Sequence, residues 1–301
     1  MRSKFEGCLL GLALGDAMAA IGIGETREAI AQKYGQIDGP RGGGKLNLDP
    51  GEYTDEGQMM VSVLESICTQ RAFKPDNIAY RFVGWLKSHP KDMGHFTRHV
   101  LERMFEGERW QEASECAAYD TTLQVAGSTS VIYGIPLGML RWQKPDQLIT
   151  DSITCSRITH WDERCTHGSV IVNYTVSLLL KGETNPLSKV KDFARDKDER
   201  LLEAISKVDQ LKFEDLDTSG YAPTTLQAAL WFLVNSKSLE SGLMQVATLG
   251  GESPDAVGAL TGAFLGAKFG RSAISERWIF QLIGNDRIDV LSSRLYELSL
   301  Q

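Results

Sequence analysis

The sequence predicts an all-α fold, a compact multi-helix domain that covers residues 1–301. Apolar residues recur at three- and four-residue spacing along most of the chain, which is the periodicity of a helix with one buried face. Alternating apolar and polar residues, the pattern of a half-buried strand, are almost absent. Glycine- and proline-containing stretches such as GPRGGG and SGYAP separate the periodic segments. The segments predicted as helices are residues 56–70, 75–87, 93–106, 129–142, 166–181, 187–208, 224–236, 238–249, 254–269 and 285–299.

The N-terminal stretch MRSKFEGCLLGLALGDAMAA predicts a further helix, packed in the core. Its uncharged run between Glu6 and Asp16 has nine residues, whereas a helix that crosses a bilayer needs about 20. Both acidic residues also flank the run too closely for a signal peptide. We therefore expect a cytoplasmic protein with no membrane partner.

Two predicted helices carry glycine at every fourth position: Gly7, Gly11 and Gly15 in the first, and Gly258, Gly262 and Gly266 in the second. Glycine inside a helix costs about 1 kcal/mol relative to alanine, so a repeated glycine needs a compensating contact. Residues four apart lie on one helix face. Each stripe therefore indicates that another helix backbone approaches closely, as small residues allow in membrane helix pairs.

The segment SVIVNYTVSLLL at residues 169–180 is rich in β-branched residues and could form a strand. It is longer than most strands, however, and apolar on all sides. These properties favour a central buried helix.

The composition excludes several classes of protein. The net charge is −7 and no basic block is present, which argues against a nucleic-acid-binding surface. Small anionic ligands remain possible, because helix N-termini bind phosphate groups even in acidic proteins. The five cysteines are scattered without a CxxC pair, so neither a disulfide framework nor a thiolate zinc site is expected.

The histidines and the common catalytic motifs point to no familiar site. No GxSxG, P-loop or GxGxxG after a strand is present, which excludes serine hydrolases, P-loop NTPases and Rossmann enzymes. His160, Asp162 and His167 do not have the HExxH spacing of a zinc protease. His160 could be packed, orient a loop or contact a ligand. His95 and His99 lie four residues apart and could chelate a metal or form a polar helix face.

Three acidic clusters lie at predicted helix ends next to glycine: Asp16, then Asp55 with Glu56, and then Glu252 with Asp255. Each cluster could cap its own helix, because acidic side chains favour the positive end of a helix dipole. Together they could instead bind a hard cation, which prefers several oxygen ligands and could also use the hydroxyls of Thr54 and Ser253. The residues alone leave both interpretations open.

Ordered motifs then give a specific resemblance. They are FEGCLLGLALGDAMA, GGGKLNLDPGEYTDEGQM, AGSTSVIYGIPLG, RITHWD, SGYAPTTLQAALWFL and LGGESPDAVGALTGAFLGAKFG. In this order they resemble the ADP-ribosylglycohydrolase family, in particular its bacterial dinitrogen-reductase-activating glycohydrolase type, over nearly the whole chain. The resemblance implies an all-α fold with two Mg²⁺ or Mn²⁺ ions that assist hydrolysis of an ADP-ribose linkage. The substrate would be an ADP-ribosylated protein, often modified on arginine, or a small ADP-ribose-containing molecule.

The resemblance also implies the residues of the site. Metal ligands are expected at Thr54, Asp55, Glu56 and Asp255, with Glu252 and Ser253 as further candidates. Asp55 and Glu56 are expected to be catalytic, and substrate contacts are expected at Gly127, Ser128, Thr129, Ser130 and His160. Asp16 is expected to hold neighbouring helices and loops rather than to bind metal.

The chain departs from the family pattern at several of these positions. The second acid of the TDD motif is Glu56, and the late GGDxDT motif reads GGESPDA, with Ser253 or the displaced Glu252 at its first acid and Ala256 at its threonine. The GNG motif reads GST, with Tyr133 where arginine is usual, and an early family glutamate falls near Ile23. Mg²⁺ demands near-octahedral oxygen coordination. Two hypotheses follow. The first is a hydrolase with an altered centre that holds two metal ions or one, in which Glu252 compensates for the missing acid. The second is a catalytically impaired module that binds ADP-ribosylated protein or nucleotide.

Overall fold

The structure, a computed structural model, describes residues 1–301 and contains 17 α-helices and no β-sheet, which confirms the predicted all-α class. The helices are α1 Arg2–Ala19, α2 Arg27–Tyr34, α3 Asp55–Gln70, α4 Pro75–Leu86, α5 His95–Phe105, α6 Trp110–Asp120, α7 Thr129–Tyr133, α8 Ile135–Leu140, α9 Pro145–Ser156, α10 Glu163–Leu180, α11 Leu187–Phe193, α12 Glu199–Ser206, α13 Ala222–Asn235, α14 Leu239–Val246, α15 Pro254–Phe269, α16 Glu276–Gln281 and α17 Asn285–Ser299.

The centre of the fold is an antiparallel pair formed by α1 and α15, along the two glycine stripes. A Cβ atom added to Gly262 would lie 1.8 Å from the carbonyl oxygen of Gly11. The same construction on Gly15 would place a Cβ 2.0 Å from the carbonyl oxygen of Gly258. No side chain fits at these distances, so glycine is what allows the two backbones to touch. The predicted close approach is therefore present.

Helices α3, α10, α13, α14 and α17 pack around this pair. Their apolar faces join one cluster of 82 buried residues that extends from α1 to α17. Helix α10 lies inside this cluster, with buried residues on all its faces. The segment 169–180 is thus helical, as its all-round apolar character predicted.

Residues Arg2–Gly22, which comprise α1 and the turn after it, are long and apolar enough to cross a membrane by length and composition alone. However, 94% of their most apolar stretch is buried inside the protein. The segment therefore behaves as the core helix of a folded protein, in agreement with the packing predicted for it.

Two of the predicted helices are broken in the structure, and those two predictions were wrong. Residues 129–142 form two short helices, α7 and α8, with the break at Gly134, two residues before Pro136. Proline lacks an N–H and its ring clashes with the carbonyl four residues earlier, so it kinks or breaks a helix at this position. Residues 187–208 form α11 and α12, because the Asp198 carboxylate accepts from the backbone N–H of Arg200 and starts a new helix.

Four helices were not predicted at all: α2, α6, α9 and α16. Two of them are short, α2 with eight residues and α16 with six, and few residues are buried in any of the four; Ile30 is the only buried residue of α2. A short helix with so little buried surface leaves a weak periodic pattern in the sequence. These helices lie at the periphery, and the predicted core helices are all present at their positions.

Candidate active site and metal centre

The site lies in a cavity of about 610 Å³, where α3 and α15 both begin. Predicted site residues that line this cavity are Asp55, Glu56, Gly127, Ser128, Thr129, His160, Glu252, Ser253 and Asp255. Thr54 is buried next to Asp255, and Ser130 is buried behind the cavity wall. Segments that are up to 200 residues apart in the chain therefore meet in one place.

Asp16 fastens the start of α3 to α1. Its Oδ1 atom accepts hydrogen bonds from the backbone N–H of Thr54 at 2.9 Å and from the Thr54 hydroxyl at 2.7 Å. Its Oδ2 atom accepts from the backbone N–H of Gly57 at 2.8 Å. Asp16 is completely buried. It thus occupies the supporting position that the sequence predicted and satisfies a free N–H of the first turn of α3.

The capping interpretation does not describe the other acidic residues. Neither Thr54 nor Ser253 caps its helix through its side chain. The Oδ2 atom of Asp55 accepts a hydrogen bond from the backbone N–H of Gly94 at 3.2 Å, outside its own helix. The side chains at these helix starts point instead towards one another.

Asp55, Asp92 and Asp255 form an acid triad, in which one carboxylate oxygen from each lies within 4.8 Å of the others. Asp55 and Asp255 are buried, and Asp92 is partly exposed to the cavity. Sequence reasoning missed Asp92, which lies in the loop KDMGH before α5. Asp92 could have been found by the pattern that indicated the other acidic clusters, namely an acidic residue close to a glycine at the start of a predicted helix.

Two buried carboxylate oxygens at this site have no hydrogen-bond partner: Glu56 Oε2 and Asp255 Oδ1. The other oxygen of Glu56 has only a 3.4 Å contact from the Thr129 hydroxyl. The Thr54 hydroxyl oxygen lies 2.7 Å from Asp16 Oδ1 and 3.0 Å from Asp255 Oδ2, but its single proton can be donated to only one of these two oxygens. Burying a carboxylate oxygen without a hydrogen-bond donor costs free energy. These oxygen atoms therefore fit the role of ligands to a divalent cation, which supplies the missing positive charge.

Burial and mutual repulsion strongly disfavour the charged forms of these acids. Burial, followed by the charges of Asp16 and Asp92, raises the pKa of Asp255 to about 8. Burial also raises the pKa of Asp16 to about 7. The pKa values of Asp55 and Glu56 lie well above the usual range for the same two reasons, with burial the larger. A bound cation would reverse this balance and hold the carboxylates ionised.

We expect the metal-free protein to become more stable as the pH is lowered from 8.5 to 6.5. The folded-state pKa values of Asp255 and Asp16, about 8 and about 7, exceed the value near 4 of an unfolded aspartate. The folded protein therefore binds more protons in this window, and its stability is lost as the pH rises through those values. The expected gain is about 1 to 3 kcal/mol, measured as the melting temperature in EDTA.

Saturating Mg²⁺ should flatten or reverse this pH dependence, because metal binding requires ionised carboxylates. The window stops at pH 6.5 because His160, whose pKa burial lowers to about 4, would destabilise the fold below that pH. A metal-free protein whose melting temperature rises from pH 6.5 to 8.5 would contradict the assignment of a repulsive acid cluster.

Glu252 and Ser253 line the cavity but lie outside the acid triad. Glu252 is exposed at the cavity rim. The Ser253 side chain packs against Gly220, where an added Cβ would lie 2.7 Å from its Oγ atom, and its N–H donates to the carbonyl of Thr218. Their assignment as metal ligands therefore stays a prediction.

The GST segment forms one wall of the cavity and is held from behind. The Cys165 thiol donates to the carbonyl of Gly127 at 3.3 Å, and the N–H of Ser128 donates to the carbonyl of Gly220 at 3.0 Å. Ser130 accepts a hydrogen bond from the Ser156 hydroxyl at 3.1 Å and so faces the core. The wall is a braced backbone segment with the hydroxyl of Thr129 near the acids.

The remaining histidines separate into different environments. His95 lines the cavity, whereas His99 lies beside Asp120 on the outer face of α5. His167 Nδ1 accepts from the backbone N–H of Asp198, and Asp162 caps α10. His95 and His99 do not appear together in a metal-ligating group, and the structure gives such a group only to the acid triad.

The chain is similar to known proteins over its whole length. A family model for ADP-ribosylglycohydrolase matches residues 1–301. ADP-ribosylarginine hydrolase Tri1 of Serratia proteamaculans is 26% identical, over 98% of this chain and 80% of the relative. ADP-ribosyl-[dinitrogen reductase] glycohydrolase of Rhodospirillum rubrum is 29% identical, over 92% of this chain and 89% of the relative. A solved structure of an ADP-ribosylglycohydrolase-related protein complex superposes with a TM-score of 0.81 at 28% identity, covering 99% of this chain and 98% of that one.

Proposed function

We propose, from the premise that the chain belongs to the ADP-ribosylglycohydrolase family, that it hydrolyses the N- or O-glycosidic bond between ADP-ribose and a protein side chain or small acceptor. The observation that carries this proposal is the acid triad, together with the unpartnered buried oxygens of Glu56 and Asp255, in the lining of a cavity of about 610 Å³. Such a lining supports chemistry with a divalent cation, and the cavity is large enough for a nucleotide-sized ligand.

The residues that would hold the cation are Asp55, Asp92 and Asp255, with Glu56 and the Thr54 hydroxyl beside them. Hard oxygen ligands of this kind suit Mg²⁺ or Mn²⁺. When bound, such an ion neutralises the acids and acts as a Lewis acid towards oxygen atoms of a substrate or water. Asp16 contributes by keeping Thr54 in place through two hydrogen bonds.

Asp92 is the acid best placed to receive a proton. Its Oδ1 atom accepts from the backbone N–H of Met93 at 2.9 Å, which leaves Oδ2 without a protein donor. Burial raises the pKa of Asp92 above its usual value in the metal-free protein, whereas a bound cation would keep the carboxylate ionised and so able to accept a proton. In hydrolysis, a water oxygen would bond to the anomeric carbon while its proton passes to Asp92 Oδ2. The electron pair of the broken glycosidic bond would leave with the acceptor nitrogen or oxygen, which would then take up that proton.

The cavity wall that contains the GST segment would hold the nucleotide part of the ligand. The backbone of Gly127 and Ser128, the hydroxyl of Thr129 and the ring of His160 all face the cavity there. The acceptor, a protein side chain or small molecule, would project through the open side near the exposed Glu252. This arrangement supports an ADP-ribosylated protein or a small ADP-ribose-containing molecule as the substrate.

The altered motif favours one second candidate. Relative to the family pattern that the chain resembles, the first acid is replaced by Ser253 or displaced to Glu252, and the threonine is Ala256, so the cation could be held too weakly for catalysis. The cavity would then serve as a binding module for ADP-ribosylated protein or nucleotide. The hydrolase is favoured because Asp92 adds an acid that compensates for the lost ligands.

The test is release of ADP-ribose from ADP-ribosyl-arginine and ADP-ribosyl-serine, with Mg²⁺, with Mn²⁺ and with EDTA. Release should require metal, and Asp55→Ala should lower kcat/KM by at least about 100-fold, since losing several kcal/mol of charge stabilisation costs a factor of ten per 1.4 kcal/mol. Asp286→Ala, which changes an exposed acid of α17, should match the wild type. If neither linkage is cleaved while ADP-ribose still binds, the binding-module candidate replaces the hydrolase.

A further inference from the structure

A chain of three buried side chains leads from the core to the cavity wall: Tyr133, Thr159 and His160. Tyr133 and Thr159 are fully buried, and His160 is 1% exposed. The Tyr133 hydroxyl lies 2.8 Å from Thr159 Oγ1, which lies 2.8 Å from His160 Nδ1. His160 lines the cavity and packs edge-on against Phe96. Tyr133 stands where the family pattern has arginine, and the proposed hydrolysis does not use it.

The direction of each hydrogen bond in this chain follows from counting protons. The Tyr133 phenol has a single proton, which it donates to the backbone carbonyl of Cys155 at 3.0 Å, with the carbonyl of Ser156 at 3.2 Å. Carbonyl oxygens only accept, so the phenol oxygen has only lone pairs left for its third contact. Thr159 then donates its own proton to Tyr133, whereas a phenol that donated to Thr159 would leave both carbonyl contacts without a proton. The Thr159 oxygen is then the acceptor for the imidazole.

We infer that Tyr133 and Thr159 are positioning residues that hold His160 in the tautomer protonated at Nδ1, so that Nε2 offers a lone pair to the ligand. Nε2 makes no hydrogen bond within the protein and lies beside Gly127, where an added Cβ would be 3.2 Å away. The cavity therefore selects a ligand with a hydrogen-bond donor at this point, namely a hydroxyl or amino group. A ligand atom that only accepts is disfavoured there.

The buried environment makes the tautomer, rather than the charge, the property that matters. Burial lowers the pKa of His160 to about 4, so the ring is neutral at physiological pH. A neutral imidazole carries one N–H, and the partner of one nitrogen decides the state of the other. The inference takes ADP-ribose as the ligand of the cavity, and that identity rests on the proposed function.

The test reads the tautomer directly, without activity. Protein labelled with ¹⁵N-histidine and loaded with diamagnetic Mg²⁺ is studied by two-bond ¹H–¹⁵N correlation, and His160→Gln assigns the signal. The wild type should show a protonated Nδ1 and an unprotonated Nε2. In Tyr133→Phe the Thr159 hydroxyl loses its acceptor and can donate to Nδ1, so the two nitrogen shifts should exchange. Thr159→Ser keeps the hydroxyl and should keep the wild-type pattern.

Binding of ADP-ribose, measured by titration calorimetry, gives the second readout. Tyr133→Phe should weaken binding about tenfold, the value of one hydrogen bond to the ligand, and Thr159→Ser should stay within about twofold. A wild-type ring protonated at Nε2, or an unchanged tautomer in Tyr133→Phe, would overturn the inference. If Tyr133→Phe does not fold, Thr159→Val is used instead: it removes the hydroxyl that accepts from Nδ1 and should lose the wild-type pattern that Thr159→Ser keeps. Lack of ADP-ribose binding by the wild type would remove the proposed ligand, while the spectra still decide the tautomer.

Discussion

Asp255→Asn is expected to lower metal-dependent release of ADP-ribose by about 10³-fold or more, and at the same time to raise the melting temperature of the metal-free protein. The loss of activity follows because an amide cannot replace the charge of a metal-ligating carboxylate, and a factor of 10³ corresponds to only about 4 kcal/mol. The gain in stability follows from the crowding of buried acids around Asp255, whose pKa burial and the charges of Asp16 and Asp92 raise to about 8.

The opposite signs of the two effects make this variant informative. A variant that simply damaged the fold would lose both activity and stability. Asp255→Asn should gain about 1 to 2 kcal/mol at pH 8.5 in EDTA, because one buried like charge is removed. It should also lose the stabilisation that Mn²⁺ or Mg²⁺ gives the wild type, since ligand binding to the folded state raises stability by mass action.

Glu252→Gln is the matched control for the displaced acid of the altered motif. Glu252 is exposed at the rim and lies outside the acid triad, so its loss should change metal-dependent stabilisation and activity by less than about tenfold. An equal loss in Glu252→Gln and Asp255→Asn would make Glu252 a ligand and would contradict the assignment of the triad. Melting curves with increasing Mn²⁺ measure both variants on the same scale.

The long core helices could be predicted from the sequence because each buries a wide apolar face. Helices α3, α10 and α15 lie where apolar periodicity placed them, and the glycine stripes correctly indicated a close backbone contact. The break before Pro136 was missed because apolar spacing continues through it, although proline itself was a sufficient signal. Short peripheral helices such as α2 were not predicted, because the apolar pattern of a sequence carries little information where few residues are buried.

The candidate site shows a different limit. Motif order placed Asp55 and Asp255 in one site, but the resemblance did not single out Asp92, which a loop brings to them across 37 residues of chain from Asp55. The sequence also did not determine whether the Thr54 side chain caps its helix or contacts the acidic side chains of the site, because both arrangements use the same residue at the same position. The Asp16 hydrogen bonds decide it, and they depend on how closely α1 approaches α3. Convergence of loops and helix starts is a tertiary property that spacing alone does not encode.

Gly262→Ala is expected to destabilise the protein by about 3 kcal/mol or more, which for a chain of this size lowers the melting temperature by about 6 °C or more. The added Cβ would lie 1.8 Å from the carbonyl oxygen of Gly11 and 2.5 Å from its carbonyl carbon. Both atoms are backbone, so no side-chain rotation relieves the clash and α1 must move away from α15. Gly84→Ala is the control, because this exposed glycine of α4 has no atom within 4 Å of an added Cβ.

The two alanine variants should change stability in opposite directions, since alanine in place of an unconstrained helical glycine stabilises by about 0.5 to 1 kcal/mol. Equal melting temperatures for the two variants would show that the helix contact tolerates a methyl group.

A third variant, Gly258→Ala, tests whether the helix contact positions the acids. Gly258 lies one turn after Asp255. Its added Cβ would lie 2.2 Å from the carbonyl oxygen of Gly15, the residue before Asp16. Separating the helices at this end would move Asp255 from Thr54 and Asp16, so Gly258→Ala should lose metal-dependent stabilisation as well as stability. Because Gly262 lies a further turn from the acids, a larger relative loss of metal binding in Gly258→Ala than in Gly262→Ala would establish that the glycine stripe positions the candidate metal centre.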